Sequence, residues 1–228
     1  MDSVNPILRR RRQSPMITCR HLGSGNMLLV FLLGLVVAFG CGDIPGDAED
    51  TGSIIQVKSI NGFYNDSVTN QVDVLMDNCT TGGEGEPEPE YFSDHFGQVE
   101  VTNRPLPNTT LQTARPVEIL SYTVRYEPFD TPSVSPPLLE PYVEIKLLDT
   151  LVIAPCLPGT SDCAATKYDQ LKFVDIAKKQ EYLDKGGDPF VETSYNIRYT
   201  FYGANDLGQE FTFGGSTNFT MLDYDYCN

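Results

Sequence analysis

The side chains able to do covalent, acid–base or metal chemistry are few enough to take in turn. Only two histidines occur, and His95 is the one beyond the first forty residues. Any Ser/His/Asp or Cys/His catalytic set in the body of the chain would have to use it. It stands in Glu90-Tyr-Phe-Ser-Asp-His-Phe96, at the entry of an expected strand, and no Gly-x-Ser-x-Gly nucleophile turn accompanies it. We read it as structural or exposed. The chain also lacks a phosphate loop, a dinucleotide fingerprint and a haem-attachment motif. Glycoside hydrolysis asks only for two carboxylates, so 31 acidic residues leave an exported hydrolase open on composition alone.

The carboxylates are densest in Gly82-Gly-Glu-Gly-Glu-Pro-Glu-Pro-Glu90, with Asp94 following. Glu84, Glu86, Glu88, Glu90 and Asp94 could supply oxygens to a hard cation such as Ca²⁺. No calcium loop of fixed spacing is present, so the competing reading is a solvated, extended loop in which Pro favours open backbone. Against 31 acids stand 16 Lys and Arg, a net charge of −15. That balance argues against a basic surface for nucleic-acid phosphates.

The charge is uneven. Arg9, Arg10, Arg11, Arg12 and Arg20 face a single acid, Asp2, within residues 1–40, which leaves 11 bases against 30 acids beyond. A basic head followed by the apolar run Met27–Gly40 has the form of an export signal. The run is shorter than the ~20 residues of a membrane-spanning helix, and Met16 or Met27 are alternative starts. It ends in Ala38-Phe39-Gly40-Cys41. This resembles the lipobox of bacterial lipoproteins. The resemblance implies cleavage before Cys41, acylation of its sulfur and new amine, and a membrane partner reached through that lipid. With Gly42 rather than Asp after the cysteine, it further implies the outer membrane over the inner. An ordinary signal peptide and a retained signal anchor are the alternatives. Residues 41–52 are acidic, Gly-rich and poor in apolar side chains, so they read as a flexible tether. Its reach is on the order of 35 Å at ~3.3 Å per residue.

With Cys19 and Cys41 assigned to the signal and the lipid, Cys79, Cys156, Cys163 and Cys227 remain. An even set in an exported chain reads as disulfides. Three pairings are open. The Pro158-Gly159 turn favours Cys156–Cys163, which would leave Cys79–Cys227. A zinc site would want Cys-x-x-Cys spacing or a nearby His, and these four cysteines have neither.

From residue 53 onward the apolar pattern has a period of two, the mark of half-buried strands. Val72, Val74 and Met76 share one parity, as do Val99 and Val101, and Leu120, Tyr122, Val124 and Tyr126. So do Val143, Ile145 and Leu147, and Tyr195, Ile197, Tyr199 and Phe201. Phe211, Phe213, Phe219 and Met221 keep parity across Gly214-Gly215, where a bulge is expected. Ile54 to Ile60 reads as an edge strand. One short helix is expected at Ala177–Asp184, capped by Asp175 and ended by Gly186-Gly187. The expected architecture is all-β, a two-sheet sandwich over residues 53–228 with long loops at 80–94 and 127–141.

Ser121-Tyr-Thr-Val-Arg-Tyr-Glu-Pro128 resembles a central strand, and Ser194-Tyr-Asn-Ile-Arg-Tyr-Thr-Phe-Tyr-Gly-Ala-Asn-Asp-Leu-Gly-Gln-Glu-Phe-Thr-Phe213 the last hairpin, of fibronectin type III and related immunoglobulin-like domains. The resemblance implies an immunoglobulin-like sandwich in which Tyr122, Tyr195 and Tyr199 are core or rim aromatics. The family's usual core Trp is absent. Sequons occur at Asn65, Asn78, Asn108 and Asn218, and in a eukaryotic source they would mean glycosylation. The leading functional expectation is a lipid-anchored envelope protein with a structural or protein–protein role, an envelope protein as partner, no cofactor and no catalysis. The alternative is a glycan- or Ca²⁺-binding surface module on the same anchor.

Overall fold

The computed structural model describes residues 53–79, 88–90, 92–106, 115–131, 134–156 and 163–224. The signal segment, Cys41, the tether, Glu84, Glu86, Asn108 and Cys227 lie outside the described residues. The strands are β1 Ser53–Tyr64, β2 Ser67–Val68, β3 Gln71–Asp73, β4 Asn78–Cys79, β5 Glu88–Pro89 and β6 His95–Pro105. They continue with β7 Val117–Pro128, β8 Tyr142–Ile153, β9 Thr166–Val174, β10 Thr193–Asn205 and β11 Glu210–Leu222. One helix, α1 Ile176–Asp184, separates β9 from β10.

The strands form a four-stranded sheet, β2-β1-β6-β9, and a five-stranded sheet, β3-β11-β10-β7-β8, beside the small pair β4-β5. This is an all-β two-sheet sandwich with one short helix. Every pairing is antiparallel except β3 with β11. Asn65 and Asp66, at φ 45° and 58°, close the two-residue β1–β2 hairpin, a conformation that Asn and Asp tolerate better than most residues.

The core between the sheets is rich in tyrosine. Tyr122, Tyr126, Tyr195 and Tyr199 are at most 1% exposed, packed with Phe201, Phe213, Phe219 and Phe173 through ring contacts of about 5–6 Å. A buried phenol needs a hydrogen-bond partner, and here it finds backbone. The Tyr126 hydroxyl donates to Phe173 O at 2.6 Å and the Tyr199 hydroxyl to Lys172 O at 2.8 Å. The Tyr122 oxygen accepts from Lys172 N at 2.8 Å.

The period-two pattern locates the strands but misplaces some side chains. Leu120 is 51% exposed, whereas Val117 and Ile119 are buried. The pairings of β7 with β10 and with β8 both shift between Ile119 and Ser121, and Leu120 is the extra residue opposite β10, a bulge that flips parity there. A second shift, between Tyr122 and Val124, accompanies the outward turn of Val143, 80% exposed. Met76 lies past the end of β3 and is exposed. The bulge expected at Gly214-Gly215 is absent: the β10–β11 register runs unbroken through both residues. Their role is close approach. A Cβ on Gly215 would stand 2.9 Å from Ile60 Cδ1 and Val57 Cγ1 of the facing sheet.

The helix lies where it was expected. Asp175 caps it, its Oδ1 accepting from Lys178 N at 3.0 Å, and Gly186 follows in the left-handed region at φ 85°. Cys156 and Cys163 are joined by a disulfide, with Cα atoms 5.3 Å apart. Cys79 lies in β4, and its pairing with Cys227 falls outside the described residues.

Candidate functional site

Among the described residues, two places are candidates for a site. The first is interior, where β3, the segment around Glu90, the start of β6 and α1 converge. Asp73, His95 and Lys179 are at most 1% exposed and Glu90 is 5% exposed. The apolar alternation of β3 turns Val72 into the core, and Asp73 follows it below the surface at the strand's end. Helix α1 faces the sandwich with Lys178, Lys179 and Tyr182.

The ammonium of Lys179 sits 3.9 Å from the centroid of Phe92 and 5.7 Å from that of Tyr64. Aromatic faces attract a desolvated cation there. His95 stacks on the other neighbour of this group, with ring centroids 4.0 Å from Tyr64.

Burial sets the electrostatics. It pushes Glu90 up to about 8, and the neighbouring carboxylates Asp73 and Asp77 push in the same direction. Asp73 is raised by burial as well, against opposing hydrogen bonds and the Lys179 charge. Burial together with the carboxylates facing it therefore favours the neutral form of Glu90. Lys179 is drawn down to about 8 by burial, with Asp73, Asp94 and Glu90 resisting. His95 is lowered to about 3 by burial and then by the Lys179 charge, which keeps the imidazole neutral.

Such shifted groups are what an acid–base site uses. Structural ion clusters shift them too, and this cluster is closed to solvent. Glu90 is thus turned inward toward Asp73. Asp94 Oδ1 accepts from Ile176 N at 2.9 Å, at the start of α1. For Glu88, in β5, only the backbone is described. Among the described residues no three His, Cys, Asp or Glu side chains are placed to hold a metal ion.

The second place is a surface recess of about 390 Å³ on the outer face of the five-stranded sheet. Its floor follows from register. Gln71 pairs with Thr220, and Thr220 pairs with Ser194. Phe129 N donates to Ser194 O at 2.9 Å. One row therefore crosses four neighbouring chain segments, a width of about 14 Å at ~4.8 Å per step. Asn218, two residues from Thr220 along β11, shares that outward face, and Glu192, just before β10, also lines the recess. Phe129, 44% exposed, forms a wall with Pro136 of the following loop. The Thr220 hydroxyl meets the Tyr224 hydroxyl at 2.8 Å, and Asn218 Oδ1 accepts from Asn196 Nδ2 at 2.8 Å.

Sequence reading singled out Glu90, Asp94 and His95 but missed Lys179, Asp73 and the whole recess. Lys178-Lys179 in a short helix resembles a solvent face. The recess joins residues 71, 129, 194 and 220, which no local pattern connects.

Comparison with known proteins finds no match: no protein-family model, no curated protein and no solved structure is similar to this chain.

Proposed function

We propose that this chain is a lipid-anchored protein of the cell envelope whose sandwich binds a partner without transforming it. One observation carries the non-catalytic reading. Among the groups with shifted acidities, the converging set Asp73, Glu90, His95 and Lys179 is at most 5% exposed, and none of the four lines the solvent-open recess. Reactive groups on the inside and hydrogen-bonding groups on the outside favour recognition over turnover. The anchor rests on Gly40-Cys41 after the apolar run, with the acidic segment to Gly52 as spacer and the outer membrane as destination.

The test is fractionation of cells expressing the full chain or its Cys41→Ala variant. The membrane-extracted protein should have an intact mass that begins at Cys41 and includes acyl chains, and Cys41→Ala should move to the soluble fraction. Equal membrane retention of the variant overturns the lipid anchor. Hydrolytic turnover that disappears in Glu90→Gln, with folding retained, overturns the non-catalytic reading.

A further inference from the structure

We infer that the recess crossed by Gln71, Thr220, Ser194 and Phe129 is a binding site for a neutral oligosaccharide; this deepens the proposed binding role. Size comes first. A volume of about 390 Å³ lies within the ~300–1,000 Å³ of small-ligand sites, enough for a short saccharide.

Charge comes next. Among the described residues the lining holds no Lys, Arg or His and one carboxylate, Glu192, on a chain of net charge −15. Nothing there compensates an anion, and the surrounding field repels one. Phosphates, sulfates and uronic acids are therefore poor fits.

Hydrogen-bonding type follows. Amides and hydroxyls offer both donors and acceptors, which suits sugar hydroxyls that also do both. Gln71, Asn218, Ser194 and Thr220 supply such groups on one face. Phe129, half-exposed at the wall, presents an aromatic face to the C–H side of a sugar ring.

The alternative ligand, an extended peptide, asks for an unpaired strand edge to which it can add. The floor offers little of one, because β3, the sheet's edge strand, is three residues long and brings only Gln71 to the described lining. β10 is bonded on both sides, to β11 and to β7, and the row runs across the strands rather than along an edge. Recognition there falls to side chains.

The experiment is calorimetric titration of the detergent-solubilised full-length protein. The probes are neutral gluco-, manno-, galacto- and N-acetylglucosamine oligomers, an oligogalacturonate and an extended neutral peptide. At least one neutral series should bind, and more tightly than the uronate or the peptide. Phe129→Ala should weaken it about tenfold, and Ser194→Val with Thr220→Val should abolish it. Melting temperatures of the variants should stay near the parent's, because these side chains face solvent.

Absence of binding by every neutral series, tighter binding of the uronate or the peptide, or undiminished binding in folded variants overturns the inference. Release of shorter saccharides during titration would keep the site but overturn the non-catalytic reading. Loss of membrane anchoring would leave the site untouched.

Discussion

The hydroxyl of Tyr126, on the five-stranded sheet, donates to the backbone carbonyl of Phe173, on the four-stranded sheet, at 2.6 Å. Phe173 is the extra residue where the β6–β9 register shifts, His95 pairing with Val174 and Phe96 with Lys172. Tyr122 and Tyr199 take up backbone groups of the adjacent Lys172. The two sheets are thus tied by hydrogen bonds through the core as well as by apolar packing. Tyr126→Phe keeps the ring and leaves a buried carbonyl without its donor. It should lower unfolding free energy by about 1–3 kcal/mol, read from urea denaturation. No loss would mean that water or a shifted backbone group replaces the phenol.

The pair Glu90 and Lys179 should give a stability minimum near neutral-to-alkaline pH. An unfolded Glu ionises near 4.5, whereas folded Glu90 holds its proton up to about 8. Folding takes up a proton between those values, so this contribution falls as pH rises through the window. Lys179 goes from 10.5 unfolded to about 8 folded. Folding releases its proton there, and stability climbs again above about 8. Glu90→Gln should gain stability relative to the parent steadily from about pH 5 to about pH 8. Parallel urea midpoints across that range would show that Glu90 ionises normally.

His95 should make the fold acid-sensitive. Its folded value of about 3 lies below the ordinary 6.5. The unfolded chain binds a proton that the native state refuses, so stability is lost as pH falls through that interval. This opposes the Glu90 contribution where the two windows overlap. His95→Phe retains a ring against Tyr64 without a titrating group. Whatever its fixed cost, the variant should lose less stability than the parent between about pH 6.5 and about pH 4. An identical acid slope for both proteins would remove His95 as its source.

The Cys156–Cys163 bridge closes a short loop. In the chain-entropy model, a loop of this size contributes about 2.5 kcal/mol, so Cys163→Ser should lower the melting temperature modestly. If Cys79 pairs with Cys227, that far longer loop contributes about 5 kcal/mol, and Cys227→Ser should cause the larger drop. Non-reducing peptide mapping checks the pairing directly. A Cys79 peptide joined to any other cysteine refutes it.

The strands, the helix and its Asp175 cap were legible because each depends on neighbours within a few residues. Period two marks a strand, and an acid before a short polar helix marks its start. What failed depends on partners far along the chain. Leu120 keeps the parity of Tyr122 in sequence, but it is the extra residue of β7 opposite β10 and turns outward. Gly214-Gly215 reads as a local irregularity, yet its cause is Val57 and Ile60 on the facing sheet. Lys179 carries the sequence signature of a surface residue and is buried under Phe92 and Tyr64. Glu90 sits in an acidic run that reads as solvated, and only the fold brings Asp73 beside it.

The order in which the chain visits its two sheets has a kinetic consequence. It passes from β1 and β2 in one sheet to β3 in the other, returns for β6, leaves for β7 and β8, returns for β9, and finishes with β10 and β11. Neither sheet is complete until late. Among the described residues, β3 near the start finds its strand partner in residues 220–222 near the end. Such long-range closure slows folding. During synthesis β3 must stay unpaired until β11 emerges, whereas β1 meets its partners β2 and β6 much earlier. A chain stopped before β11 would present the open edges of β3 and β10 together, with the floor of the recess missing between them. Such a fragment should be prone to aggregation.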